Sequence, residues 1–373
     1  MSQLGRRDLN PRPLDPQSSA LAKLRYAPIL FRGSGDSPRQ ACHCRIRFGA
    51  VNASSCGESP VHFADRLAEA VQRVGNAVCV GIDPRPEDLP PGFLDRFASN
   101  LAGVAQALGA FSREVVEVVA GLAPVVKFQS AFFEAYGPLG TAALGEAMKA
   151  AHDRGLIVIF DGKRNDIGST AEGYARAYLG KVPVDDHFES CWCADALTVN
   201  PYLGSDGITP FVKIGAKEGK GIFALVRTSN ASAREFQDLV CEGKPLYRHV
   251  ADRLAGWASA QRGACGYSLV GAVVGATYPA ELAELRASLP GVWFLVPGYG
   301  TQGGTASDVA PAFDSEGLGA IINSSRGLAF AYQKPAAKQR FGDDWQGAIA
   351  QATRDMADDL AAHSTSAKLK KEA

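Results

Sequence analysis

Residues 156 to 170 read Leu-Ile-Val-Ile-Phe-Asp-Gly-Lys-Arg-Asn-Asp-Ile-Gly-Ser-Thr, an unbroken apolar run that ends in Asp161, Lys163 and Asp166. A short run that does not alternate with polar residues fits a strand covered on both faces, the usual state of a parallel strand. Residues two apart on a strand share a face, which predicts that Asp161 and Lys163 project together at its exit, with Asp166 in the turn beyond. Two carboxylates would then flank one ammonium. Each would favour the charged form of Lys163 and leave it able to donate a proton to a strongly basic carbon.

Outward from this strand the same pattern recurs. Periodicity predicts strands over Val78–Ile82, Pro124–Phe128, Leu156–Phe160, Ala196–Val199, Ile222–Val226, Leu269–Val274, Val292–Val296 and Ala320–Ile322. Between them, segments such as Phe97–Val119, Ala131–His152, Ala171–Leu179 and Leu246–Arg262 carry apolar residues at helical spacing. A further helix with apolar positions at Phe63, Leu67, Ala70, Val71 and Val74 precedes the first strand. Eight strand–helix units over roughly 280 residues is the count and length of an α/β (β/α)8 TIM barrel. A doubly wound open sheet is disfavoured, because the first strand leads into Gly81-Ile82-Asp83-Pro84 rather than a GxGxxG turn.

Composition sets limits on function. The 373 residues are 46% hydrophobic and 21% charged, enough to bury a sizeable core. Lys plus Arg and Asp plus Glu both number 39, so neither nucleic acid nor an anionic membrane would find a general electrostatic grip. No run approaches the length of a membrane span, and the first 30 residues lack the pattern of a signal peptide, so the expectation is a cytoplasmic protein. Eight cysteines are scattered without paired CxxC spacing and read as free thiols. Cys42-His43-Cys44 and Cys191-Trp192-Cys193 have no second ligand pair at a useful spacing, and no metal site is expected.

Residues 1–58 stand apart. They are rich in Arg, Pro and Ser, and Asn10-Pro11-Arg12-Pro13-Leu14-Asp15-Pro16 sustains neither helix nor inner strand. The expectation is a disordered extension, or upstream DNA translated from a misassigned start. The barrel is assigned to residues 59–363, with residues 364–373 as a loose tail.

In a barrel, reactive groups gather where strands end. By that rule strand one delivers Asp83, strand two Lys127, strand three Asp161 and Lys163, and strand four Thr198 and Asn200 to one mouth. Strand seven leads into Pro297-Gly298-Tyr299-Gly300-Thr301-Gln302-Gly303-Gly304, whose glycines would let backbone N–H groups approach a phosphate. Strand eight ends in Asn323-Ser324-Ser325-Arg326-Gly327, placing a guanidinium beside an expected helix start, where both favour an anion.

Phe160-Asp161-Gly162-Lys163-Arg164-Asn165-Asp166-Ile167 is similar to the DxKxxDI signature of the orotidine 5′-phosphate decarboxylase family. Gly81-Ile82-Asp83-Pro84, Lys127-Phe128-Gln129, the Gly298–Gly304 loop and Arg326 match its other landmarks in order, from about residue 59 to 330. Thr198-Val199-Asn200-Pro201-Tyr202-Leu203-Gly204 and Arg227-Thr228-Ser229-Asn230 resemble the longer bacterial subgroup. The resemblance implies cofactor-independent conversion of orotidine 5′-monophosphate to uridine 5′-monophosphate and carbon dioxide, the last step of de novo pyrimidine synthesis. It implies that Lys163 stabilises and protonates a C6 carbanion while Asp161 lies against the departing carboxylate. It implies that Lys127 bridges the ribose and Asp161, that Asp83 binds a ribose hydroxyl, and that Thr198 lines the substrate site. Ser229 would bond the pyrimidine edge, and Gln302 and Arg326 the phosphate. Asp166, Ile167 and Thr170 would reach the partner's site in a homodimer.

Three rival readings carry different signatures. A metal-dependent sugar-phosphate enzyme of the same superfamily would be expected to place Glu on strand two, where this chain has Lys127, which repels a divalent cation. An inert phosphate-binding barrel would have lost members of the charged set, which is complete. A Schiff-base lysine needs a depressed pKa, against which two flanking carboxylates would act.

Overall fold

The computed structural model describes residues 60–300 and 303–370. Eight parallel strands close on themselves: β1 (Val78–Ile82), β2 (Val125–Gln129), β3 (Ile157–Arg164), β4 (Ala196–Val199), β5 (Gly221–Arg227), β6 (Val270–Val274), β7 (Phe294–Pro297) and β8 (Ala320–Ser324). Each pairs with the next, and β8 returns to β1 through Val78↔Ile322. Nearly every strand residue is buried, so the runs carry no alternation. This is the barrel expected from the strand count.

Helices α1 (Phe63–Val74), α2 (Leu101–Val119), α3 (Gly137–Asp153), α4 (Gly168–Leu179), α5 (Ser205–Glu218), α6 (Leu246–Ser259), α7 (Pro279–Ser288) and α8 (Trp345–His363) accompany the strands. The limits of α1 follow from local chemistry. The His62 ring accepts the Ala64 N–H at its start, and Gly75, at φ 77°, ends it by returning an N–H to Val71. Its apolar face buries Phe63, Leu67 and Val71, while Arg66 reaches the buried carboxylate of Asp195 at 2.7 Å. Phe63 meets Phe223 of β5 edge-on, with ring centroids 6.1 Å apart. Gly221 and Gly271 make room for these two rings: a Cβ at 221 would sit 2.1 Å from Phe63, and one at 271 would sit 2.5 Å from Phe223.

The helical layer departs from the expected pattern near β7 and β8. After β7 it thins to one turn, Ala306–Val309, started by a reciprocal cap between Thr305 and Asp308. No helix starts at Arg326. Leu328 and Ala329 both donate to the Ser325 carbonyl, making a single turn, and the chain then runs through Pro335–Phe341 to α8.

Within the segment expected to be a loose tail, residues 364–370 are docked. Thr365–Leu369 forms a 3-10 turn in which Ser366 and Leu369 are buried, and Lys370 pairs with Asp358 at 2.7 Å. The Ser364 cap, the buried Leu369 side chain and the Thr365 hydroxyl, which donates to the Asp314 carbonyl at 2.7 Å, dock it. The segment 1–58 lies outside the described residues, as do Cys42, Cys44 and Cys56; Cys79, Cys191, Cys193, Cys241 and Cys265 are free thiols. Among the described residues no helix is long and apolar enough to cross a membrane.

Gly221→Ala should destabilise the protein by about 1–3 kcal/mol, because a fully buried ring must move. Phe63→Ala should cost about 3–5 kcal/mol through the cavity it leaves. Urea unfolding measures both, and parent stability at Gly221→Ala would show that the Phe63 ring yields freely.

Candidate active site

Asp161 is the centre of the barrel mouth. Only 6% exposed, it accepts four hydrogen bonds. Oδ1 takes Lys163 Nζ at 2.7 Å and Thr198 Oγ1 at 2.8 Å; Oδ2 takes Lys127 Nζ at 2.7 Å and Gln129 Nε2 at 3.1 Å. The arrangement inverts the expectation from sequence: one carboxylate stands between two ammonium groups. Burial works against its charge, but Lys127 and then Lys163 outweigh burial and hold Asp161 well below the usual carboxylate range. Burial likewise opposes the Lys127 ammonium, and Asp161 and Asp83 reverse the balance, raising it above the ordinary lysine value.

The local backbone explains how Lys163 arrives. Phe160 pairs with Leu197 and Arg164 with Val199, so four steps along β3 span two along β4. The surplus forms a bulge. Lys163 sits at φ 45°, an uncommon conformation for a side chain with a Cβ, and its N–H is caught by Thr198 Oγ1 at 3.0 Å. Gly162 is needed because a Cβ there would lie 2.5 Å from the Phe160 ring. Asp161 and Lys163 do meet, through a kinked backbone rather than a regular pleat. The Lys163 side chain stays 47% exposed, open to a ligand above it.

Asp83 follows β1 and stands 4.0 Å from Lys127. Its Oδ1 faces that ammonium, is buried and has no hydrogen-bond partner. Ser229 follows β5 and packs against Gly275 after β6, where a Cβ would meet Ser229 at 2.9 Å. Beneath the array, burial pushes the Cys79 thiol up to about 12, so it is an inert part of the floor.

Other expected site residues lie apart. Asp166 accepts its neighbour's N–H, from Ile167, at 2.8 Å and forms no ion pair with Lys163 of its own chain. Ile167 is 54% exposed, and Thr170 is exposed in the first turn of α4. Arg326 is exposed in the turn after β8, without the helix start expected beside it. Gln302 lies outside the described residues. In the glycine loop the N–H groups of Gly300, Gly303 and Gly304 are spent on Gly304, Gly300 and Gly298 carbonyls, so they do not face outward as expected.

Two contributors had no assigned role. Gln129 lies two residues beyond Lys127 on the same face of β2, a relation that period-two spacing carries. Arg227, at the end of β5, is fully buried and pairs with Glu281 at 2.6 Å and Asp238 at 2.7 Å, pinning the excursion from Ala231 to Pro245. Nothing in its spacing marks that network.

A family profile described as orotidine 5′-phosphate decarboxylase / HUMPS family matches residues 76–341. The chain is 47% identical over 300 residues to an orotidine 5′-phosphate decarboxylase of Rhodopirellula baltica, covering 80% of this chain and 98% of that one. It is 43% identical over 277 residues to the enzyme so named in Caldicellulosiruptor bescii, covering 73% and 91%. Among solved structures it resembles a putative orotidine 5′-phosphate decarboxylase from Streptomyces avermitilis, with TM-score 0.65, 33% identity, and coverage of 84% and 99%. The Leishmania donovani OMP decarboxylase is similar at TM-score 0.61 and 32% identity, with coverage of 81% and 99%. This chain belongs to the orotidine 5′-phosphate decarboxylase / HUMPS family.

Proposed function

We propose that this chain, a carboxy-lyase of its family, converts orotidine 5′-monophosphate to uridine 5′-monophosphate and carbon dioxide without a cofactor. The observation that carries the reading is the Asp161 carboxylate set between the Lys127 and Lys163 ammonium groups. In the reaction the C6–carboxylate bond breaks and its electron pair stays on C6. A fixed positive charge beside C6 lowers the energy of that carbanion, and preorganised charge in a partly desolvated site is worth far more than in water. Lys163 then transfers a proton to C6, and solvent restores it.

Asp161 lies against the departing carboxylate and holds both lysines in place. Lys127 and Asp83 take the ribose hydroxyls, the partly exposed Asp83 side chain standing 4.0 Å from the ammonium. Ser229 bonds the pyrimidine edge, Thr198 braces Asp161 and Lys163 beside the substrate, and Gln302 and Arg326 hold the phosphate. The Lys127 ammonium stands where a metal-dependent relative would need a ligand, which favours this reaction over an enediolate mechanism.

The active unit in this reading is a homodimer in which Asp166, Ile167 and Thr170 complete the partner's site. Ile167, Tyr202 and Leu203 support it: 54%, 81% and 43% exposed, they lie in the adjoining loops after β3 and β4, an apolar surface that a second copy would cover. Asp166, unpaired with its own Lys163, is free to reach across.

Loss of orotidine monophosphate absorbance, with chelator present, tests the activity. Lys163→Ala should retain nucleotide binding and lose at least about 10²–10⁴-fold in kcat; near-parent turnover would remove the assigned role. Mixing Lys163→Ala with Asp166→Ala should restore activity, since one site of a mixed dimer keeps both groups; a mixture as inactive as its parts, or an active monomer, would refute sharing.

Asp161→Asn should destabilise the fold by about 3–5 kcal/mol, because buried Lys127 loses its nearer charge partner and keeps only Asp83, 4.0 Å away. The pH dependence follows from the directions of the two shifts. Asp161, held below its unfolded value, stabilises above about pH 4 and loses that contribution as acid reaches its folded pKa. Lys127, held above its own value, stabilises below about pH 10 and loses that only in stronger alkali. The stability gap between parent and variant should therefore be flat from about pH 5 to 8 and shrink in strong acid, as measured by urea unfolding.

A further inference from the structure

Gly162 and Lys163 pair with neither neighbouring strand. The register with β2 ends at Gln129↔Asp161, and that with β4 passes from Phe160↔Leu197 to Arg164↔Val199, so the two residues between have to be held by other means. Groups outside the ladder do so. The Asp161 carbonyl accepts the Ser130 N–H at 3.3 Å, the Lys163 N–H goes to Thr198 Oγ1 at 3.0 Å, and the Arg164 carbonyl accepts the Asn200 N–H at 3.0 Å. The remaining carbonyl, that of Gly162, is taken by a side chain.

That side chain is Arg164, folded back over the bulge it belongs to. Nη1 donates to the Gly162 carbonyl at 3.1 Å, Nε and Nη2 to the Tyr178 hydroxyl at 3.2 and 2.9 Å, and Nη2 also to Glu134 Oε1 at 2.6 Å. The bulge is thereby tied to α4 through Tyr178 and to the turn after β2 through Glu134. Aromatic rings fix the guanidinium from the side: its carbon lies 5.6 Å from the Phe160 centroid and 5.3 Å from that of Tyr178. Those rings are 4.4 Å apart and packed on Trp192. A Cβ at Gly162 would meet both walls, Phe160 at 2.5 Å and the guanidinium carbon at 3.3 Å. The Glu134 pair is partly exposed and contributes direction more than energy. Only a planar fork serves three partners at once, which an ammonium cannot do.

We propose that Arg164 is a positioning residue for Lys163: by clamping the Gly162 carbonyl to Tyr178 and Glu134, it keeps the bulge in the conformation that delivers the Lys163 ammonium to Asp161. Arg164 itself bonds none of the Asp161, Lys127 and Lys163 side chains, so it acts through the backbone. Without the clamp, Lys163 can leave φ 45° for an ordinary negative φ, which redirects its side chain. A displacement of about 1 Å in a reacting group can cost on the order of 10²-fold in rate. The inference rests on the role proposed for Lys163 at C6.

The test joins kinetics to crystallography. Arg164→Met keeps the packing of the stem and removes the fork; it should lower kcat for orotidine 5′-monophosphate by about ten- to hundredfold, leave affinity for uridine 5′-monophosphate unchanged, and show in its crystal structure the Lys163 ammonium moved off Asp161. Arg164→Lys, which restores charge without the fork, should stay impaired. Tyr178→Phe should lose part of the rate and cost nothing further in the Arg164→Met background, since both act through one clamp. Parent kcat in Arg164→Met, a loss confined to nucleotide binding, full rescue by Arg164→Lys, additive losses, or an unmoved Lys163 would overturn the proposal. Should Arg164→Met fail to fold, Tyr178→Phe alone carries the same kinetic and crystallographic readouts. A parent protein inactive on the nucleotide would refute the underlying decarboxylase reading, and the position of Lys163 in the variant crystals would still decide the clamp.

Discussion

The Asp161 carboxylate is the constraint around which this molecule is arranged. Four donors from three strands converge on its two oxygens: Lys127 and Gln129 from β2, Lys163 from β3 itself and Thr198 from β4. Two like charges brought so close would repel unless an anion sat between them, and a buried carboxylate would be protonated unless cations held it charged. Each group is therefore the condition for the others. The cost of burying the Asp161 and Lys127 charges is offset only when their lone pairs and protons are matched, which leaves little freedom in the relative heights of the strands.

The barrel provides that fixity. Parallel strands covered on both faces cannot slip without moving buried side chains into wrong layers, and the register Gly81↔Lys127 and Gln129↔Asp161 sets the contributions of β1, β2 and β3 at one level. At the opposite end α1 seals the barrel, with Phe63 lodged in space that Gly221 leaves empty. The closed end carries the packing and the open end carries the charge, a division in which chemistry at the mouth leaves the floor undisturbed.

Much of this was legible in the chain. Short apolar runs without alternation announced parallel strands, and Val78–Ile82 and Ala196–Val199 match the structure residue for residue. The polar residues at their ends mark the mouth, since a charged group cannot continue into a core. Less legible were features set by contacts across the sequence. The bulge at Lys163 depends on Thr198 catching its N–H. The N–H groups of the glycine loop look available until its own carbonyls are seen to take them. The tail looks loose until Leu369 is seen to be buried.

Sequence alone determined the barrel strands, their count and the identity of the charged groups at the barrel mouth, because these follow from local periodicity and from the cost of burying charge. Only the tertiary structure decided how those groups pair. That Asp161 is the shared partner of two lysines, that Asp166 turns away from its own Lys163, and that Tyr299 reaches a carboxylate 60 residues on are matters of distance. Electrostatic and hydrogen-bond energies are settled within a few ångströms, and spacing along the chain does not specify those ångströms.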